Sequence, residues 1–341
     1  MKKKLSLLLI SIWLTACGQS IPTVKDLPFP NADYEAIVQI DQRIAAISNG
    51  EEISNMMWYA QEGDSSLQEI VFPEDPSCVR TAYIIPETLP DGRLQLWKLC
   101  DIETEELITK TITYLMAYDW QTRSMAELAG PVPLGSSVVS WNPDGTRAIA
   151  YLYDGFASGT LYWIWKGGFG PLDLVITDKG KSWNLKDDYP DFRGTDTGQT
   201  GDVGRAAWSP DGRSIAFFAS PDAIGITGSD SQRFYVDYKL YLMDANQLEP
   251  HAMLDKIYFP YIIKWSPDSK HIAFIGQYGY FKQDGIWLYT LANNSVINIS
   301  NGNYRDILWT SDGKGLIAIY CKQIHNCSQI DEYDLTSVVR P

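Results

Sequence analysis

AWSPDGRSIAFFAS (residues 207–220) returns with small changes as SWNPDGTRAIAYLY (140–153), KWSPDSKHIAFIGQ (264–277) and LWTSDGKGLIAIYC (308–321). Recurrence of one phrase within a chain sets its architecture before any single residue is interpreted. In Trp208-Ser209-Pro210-Asp211-Gly212, proline pre-sets the second turn position, aspartate suits the third, and glycine can take a positive φ at the fourth. This is a type I turn closed by a glycine bulge, a common three-residue hairpin connection. Beyond the turn, Ile215-Ala216-Phe217-Phe218 and its counterparts beginning at Ala148, Ile272 and Leu316 are apolar at consecutive positions. A strand that is apolar on both faces must be covered on both faces.

Downstream of most copies comes a second phrase, LYWIWKGG (161–168), KLYLMDANQLEP (239–250) or GIWLYTLANNSVINIS (285–300). Each reads as a strand, a polar turn and a more exposed strand. Two hairpins make a four-stranded antiparallel unit. The turn aspartates fall at Asp144, Asp211, Asp268 and Asp312, with a looser match at Asp91. Constant hairpins at varying spacing mean a fixed blade with loops of different length. An all-β fold, a single β-propeller with four-stranded antiparallel blades packed face to face, meets both the repetition and the two-sided burial.

The W-S-P-D-G-x-x-I-A-F pattern resembles the WD-repeat-like propeller motif of the TolB type, which also occurs in the propeller domains of prolyl-oligopeptidase-like enzymes. The resemblance covers residues 130–341 well and reaches 34–130 by extrapolation. It implies a role in the cell envelope, although the chain has no room for the extra domain that accompanies the propeller in TolB-type proteins. Two copies depart from the pattern. Ser269 stands in place of glycine and Ser311 in place of proline, so distorted turns are expected there. The stretch 34–341 at about 50 residues per blade gives six blades, with seven the other count to weigh. Few residues follow Asp312, so an early strand within 35–47 is expected to complete the last blade and close the ring.

The chain opens with Lys2, Lys3 and Lys4, an apolar run from Leu5 to Ala16, and then Cys17. This is the layout of a secretory signal, too short to span a bilayer. Leu14-Thr15-Ala16-Cys17 resembles a bacterial lipobox, which implies cleavage after residue 16 and lipidation of Cys17. Residues 17–33, with Pro22, Pro28 and Pro30, read as a flexible, extended tether leading to a propeller domain over 34–341. Removing 1–16 takes three of the 28 bases and none of the 42 acids, leaving a net charge near −17. That balance disfavours nucleic acid or anionic lipid as a partner of the folded body.

An exported location permits disulfides. The midpoint of Cys78 and Cys100 falls beside the Pro90-Asp91-Gly92 turn, and Cys321 and Cys327 flank a short connection after an apolar strand. The expected bridges are therefore 78 with 100 and 321 with 327. No C-x-x-C suggests zinc.

Signals for chemistry are sparse. There is no G-x-S-x-G elbow, and His251, His271 and His325 form no H-E-x-x-H arrangement. All three read as packed or surface imidazoles. At the comparable inner-strand positions Val138, Arg205, Ile262 and Asp306 only one residue is acidic, which disfavours paired-carboxylate catalysis. The acids Asp187, Asp188, Asp191, Asp196 and Asp202 could collect calcium but lack a D-x-D-x-D-G loop, and no cofactor is expected.

The long segments 178–204, 221–237 and 277–284 should crown one mouth of the ring. They carry Trp183, Tyr189, Phe192, Phe234, Tyr235, Tyr278, Tyr280 and Phe281, aromatic rings suited to peptide or sugar contacts. The expectation is a monomeric, non-enzymatic propeller, anchored by lipid outside the cytoplasm, that binds an envelope protein, peptide or glycan through this face. The alternatives are a carboxylate-dependent glycan hydrolase or lyase at the mouth, and an accessory propeller serving a separate hydrolase.

Overall fold

A computed structural model describes residues 23–27, 29, 32–40, 43–48, 56–61, 67–103, 109–132, 136–153, 160–162, 169–171, 174–178, 181–184, 202–220, 237–279, 283–323 and 326–339. The leader at 1–16 and Cys17 lie outside the described residues. In chain order, β1 (Thr23–Asp26) comes first and blade I follows as β2 (Tyr34–Ile40), β3 (Arg43–Ser48), β4 (Met56–Gln61) and β5 (Leu67–Val71). Blade II is β6 (Arg80–Thr88), β7 (Leu94–Glu103), β8 (Thr109–Asp119) and β9 (Ser124–Val132). Blade III is β10 (Ser136–Trp141) and β11 (Arg147–Tyr153), then, after a separate hairpin of β12 (Thr160–Tyr162) and β13 (Phe169–Pro171), β14 (Leu174–Asp178) and β15 (Lys181–Asn184).

Blade IV comprises β16 (Asp202–Trp208), β17 (Ser214–Ser220), β18 (Tyr238–Asp244) and the first half of β19 (Pro250–Trp265). The second half of β19 is the inner strand of blade V, followed by β20 (His271–Tyr278), β21 (Gln283–Thr290) and β22 (Ser295–Asn301). Blade VI is β23 (Asn303–Trp309), β24 (Gly315–Cys321) and β25 (Gln329–Asp334), with β1 as its outer strand. Inner strands adjoin in the order β2, β6, β10, β16, β19, β23 and back to β2. The described strands thus close a six-bladed ring.

The two-sided burial read from the sequence is present. Ile215 to Ala219 on β17 are all fully buried. Apolar clusters fill the interfaces between blades rather than one central core: Val38, Leu94 and Tyr118 between I and II, Phe218, Ile263 and Phe274 between IV and V, Ile307, Leu288 and Leu316 between V and VI, and Tyr34, Ile37 and Ile319 between VI and I.

The repeated turns share one hydrogen-bond pattern. The Ser209 hydroxyl donates to Asp211 and accepts the Ser214 amide, while the Gly212 amide closes on the Ser209 carbonyl. Ser266 and Thr310 repeat the arrangement with Asp268 and Asp312. Position four takes positive φ at Gly92, Gly145, Gly212 and Gly313. The two departures do not distort their turns. Ser269 adopts φ 58° and its hydroxyl accepts the Asp211 amide of the neighbouring blade's turn at 3.0 Å, and the turn with Ser311 keeps the same bonds. The hydrogen-bonded scaffold, with its Asp and Ser or Thr side chains, holds the geometry where the preferred residue is missing.

The tryptophan of the phrase fastens each blade to the one before it. The Trp265 indole donates to the Ala207 carbonyl at 3.0 Å and the Trp309 indole to the Lys264 carbonyl at 3.2 Å, each acceptor lying one residue before the neighbour's tryptophan. Trp141 reaches Gln95 at 2.7 Å, and Thr88, at the same place in blade II, donates to the Gln39 carbonyl. Trp208 departs, lying beneath the Arg147 guanidinium at 4.9 Å. At the ring's seam Asp306 of β23, buried, accepts the Ile37 amide of β2 at 3.0 Å and the Ile307 amide at 2.8 Å.

Three expectations are corrected. The strand that completes blade VI is β1, with Val24 opposite Tyr333, whereas residues within 35–47 form the inner hairpin of blade I. The tether expected over 17–33 is accordingly shorter, because β25 offers an edge whose amides and carbonyls Thr23–Asp26 can satisfy. In blade III the third strand is β14 and not LYWIWKGG, whose Leu161 and Tyr162 pair instead with Gly170 and Phe169.

Candidate functional site

Antiparallel blades place the Pro-Asp-Gly turns on one face of the ring, the turn face. The connections from second to third strand and from blade to blade lie on the other, the loop face. Most of the expected crown, including Tyr189, Phe192, Phe234, Tyr235, Tyr280, Phe281 and the acids Asp187, Asp188, Asp191 and Asp196, lies outside the described residues. Trp183 sits on β15, opposite Ile176, at the rim of blade III. It belongs to the blade and not to a mouth loop, because the pairing of Asp178 with Lys181 turns the chain back at once. Asp202 likewise opens β16, opposite Ser220. The described ends of 277–284 are strand, with Gln277 and Tyr278 on β20 paired to Asp284 and Gln283 on β21. The Tyr278 ring packs edge-on against Trp287 at 5.3 Å, and burial raises its hydroxyl pKa.

The loop face carries two aromatic side chains that the sequence reading passed over. Between its two halves β19 crosses from blade IV to blade V with a break in register from Tyr258 to Ile262. Lys256 and Phe259 take positive φ there, and Phe259 and Tyr261 are 49% and 40% exposed. The crossing lies so close to β20 that a Cβ on Gly276 would stand 3.2 Å from the Tyr258 carbonyl oxygen, so any side chain there would press on the crossing backbone. Pro260 amid aromatic residues in IYFPYII (257–263) was the available signal.

Charged side chains occupy the channel. Lys264 Nζ of β19 lies 2.7 Å from Glu87 Oε1 of β6. Blades II and V are opposite one another in the ring, so this ion pair bridges the channel, close to the turn face. Nearer the loop face, Arg305 of β23 faces Glu35 of β2 at 3.9 Å. The Lys264–Glu87 pair thus lies as a charged bar across the channel near the turn face. Among the described side chains, the channel's acids are engaged: Glu87 by Lys264, Glu35 by Arg305, and Asp306 by two backbone amides.

A carboxyl held above its ordinary range is Asp331, pushed up to about 6 by burial and then by its hydrogen bond with Asp26. It faces Asp26 across the β1–β25 pair at the outer edge of blade VI, far from the channel, with the Gln329 amide donating to both. The turn aspartates Asp91, Asp144, Asp268 and Asp312 shift the other way. His271 is buried with Nδ1 3.1 Å from the Thr290 hydroxyl, and burial lowers its pKa. His251 is exposed on β19, and His325 lies outside the described residues. Among the described residues no group of three His, Cys, Asp or Glu side chains converges as a metal site.

The structure contains both expected disulfides, Cys78–Cys100 and Cys321–Cys327. The first ties the segment ahead of β6 to β7. That segment is also held by Asp75, whose ion pair with Lys98 at 2.7 Å keeps its carboxyl well below the usual range. The second closes the connection into β25, where the Cys327 carbonyl accepts the Tyr34 amide.

This architecture has clear counterparts. TolB from Acinetobacter baumannii superposes with a TM-score of 0.55 at 14% identity, over 86% of this chain and 64% of that one. The fold is a TolB-like β-propeller. A putative TolB from Agrobacterium tumefaciens gives 0.52 at 14% identity over 91% of this chain and 96% of its own. An oligogalacturonate lyase in complex with manganese gives 0.52 at 13% identity, over 86% and 74%. The chain thus spans less than two thirds of the Acinetobacter TolB. In sequence, the model of the family described as eukaryotic translation initiation factor eIF2A, a WD-like propeller family, matches residues 199–338. No curated protein matches the chain. At such identities the likeness is one of fold, and function has to be argued from the site.

Proposed function

We propose that this protein is a non-enzymatic propeller, anchored outside the cytoplasm by lipid on Cys17, that binds an envelope protein, peptide or glycan through its loop face. The observation that carries the reading is the contrast between the two parts of the mouth. Among the described side chains, the channel's acids are held by cations or amides, whereas the rim presents half-exposed aromatic rings, Phe259 and Tyr261. Rings of this kind supply large contact area to peptides and sugars at small conformational cost. Two disulfides and the Lys-rich leader followed by Cys17 support an oxidising location.

The test is cross-linking in intact cells followed by capture, comparing wild type with F259A/Y261A and with a chain shortened within 185–201. The double variant removes exposed rings and should melt with the wild type. Loss of a wild-type partner from either variant supports the reading. Identical partners from all three would refute a loop-face contact, and cleavage of a glycan by the purified wild type would favour the hydrolase or lyase reading instead.

A further inference from the structure

The path of β1 bears on how such a protein would stand on a membrane, and the argument rests on lipidation of Cys17 as proposed above. β1 runs antiparallel to β25, with Thr23 opposite Asp334 and Asp26 opposite Asp331. Asp334 is at the turn face, where the next residue, Leu335, donates its amide to the Lys314 carbonyl of the blade VI turn. From Thr23 the chain climbs the outer edge of blade VI. Leu27 pairs with Ile330, and Tyr34 starts the inner strand of blade I from the loop face with its amide on Cys327. The tether therefore joins the propeller at the rim of the turn face.

Six residue steps separate Cys17 from Thr23, a reach of at most about 20 Å when fully extended. The blade is at least as tall as that. The six residue steps of β24 alone span about 20 Å, to which the turns and loops at either end add. To lay the loop face on the bilayer, the tether would have to run past the whole blade and still reach the lipid, which exceeds its length.

We infer that the short tether hangs the propeller from the membrane by the turn-face rim of blade VI, with the loop face directed away into the aqueous compartment.

The experiment uses the full-length acylated chain in phosphatidylcholine–phosphatidylglycerol vesicles containing an energy-accepting lipid dye. A single donor fluorophore is attached at K314C on the turn face or at N301C on the loop face. Transfer to the lipid dye should be clearly stronger from position 314. Inserting a flexible segment of about 20 residues between 22 and 23 lengthens the reach well beyond the blade and should erase the difference. Equal or stronger transfer from position 301 in the acylated chain overturns the orientation alone. A chain whose mass shows no acyl group on Cys17 overturns the lipoprotein reading together with it.

Discussion

Replacing Asp306 by alanine should loosen the ring at the seam where its last blade meets its first. The carboxylate is buried and takes the Ile37 amide of β2 at 3.0 Å and the Ile307 amide at 2.8 Å. A hydrogen bond to a charged group is worth about 1.5–3 kcal/mol, and a buried donor left without an acceptor costs about 1–3 kcal/mol. A net loss of about 3 kcal/mol follows for D306A. At about 2 °C per kcal/mol for a domain of this size, the melting temperature should fall by roughly 6 °C. D306N keeps one acceptor oxygen without the charge and should fall between D306A and wild type. Differential scanning calorimetry at pH 7.5 reads all three. Melting of D306A within about 1 °C of wild type would refute the reasoning, because the seam would then not depend on the carboxylate.

Other perturbations test other joints. Asp331 has a folded-state pKa raised to about 6, so the native state binds the extra proton. Its contribution is fully present below about pH 4 and is lost as pH rises to about 6. D331N should therefore raise the urea midpoint at pH 7.5 and flatten its fall between pH 4 and 6, and an unchanged pH profile would count against the buried acid pair. Lys264→Ala should cost about 1–2 kcal/mol by leaving Glu87 unpaired across the channel. The double variant K264A/E87A should regain part of that loss, and strictly additive urea midpoints would deny the pair its coupling. Reduction by dithiothreitol opens loops with separations of 22 and 6 residues, worth about 3 and about 2 kcal/mol in the chain-entropy model. C78S/C100S should thus be more destabilised than C321S/C327S in chemical denaturation, and the reverse order would contradict the estimate.

The repeated hairpin was legible because its signal is local. Proline, aspartate and glycine in one turn, with an apolar run beyond it, fix a strand pair within a dozen residues. The reach of the Trp265 and Trp309 indoles to the blade before was not legible as a role, although their recurrence marked them. Closure by β1 was hidden for a physical reason. Four residues, TVKD, carry too little periodicity to announce a strand, and only the open edge of β25, nearly the whole chain away, gives them partners. The channel bar was equally hidden. Lys264 stands where the other copies have Ser140, Ala207 and Leu308, and nothing local connects it with Glu87. The aromatic crown was read from loop length alone, which placed Trp183 in a loop when a tight hairpin holds it at the rim, and which missed Phe259 and Tyr261 because their crossing is written as continuous strand.

The ring of six equivalent blades, closed through blade VI by the N-terminal strand, is tested most directly by the covalent capture of that pairing. Lys25 and Glu332 stand opposite one another on β1 and β25. The variant K25C/E332C, exported and mapped by mass spectrometry without reduction, should yield a single peptide linking positions 25 and 332 and a higher melting temperature than either single variant. Recovery of both positions as free thiols, or of either one linked elsewhere, would contradict the closed ring.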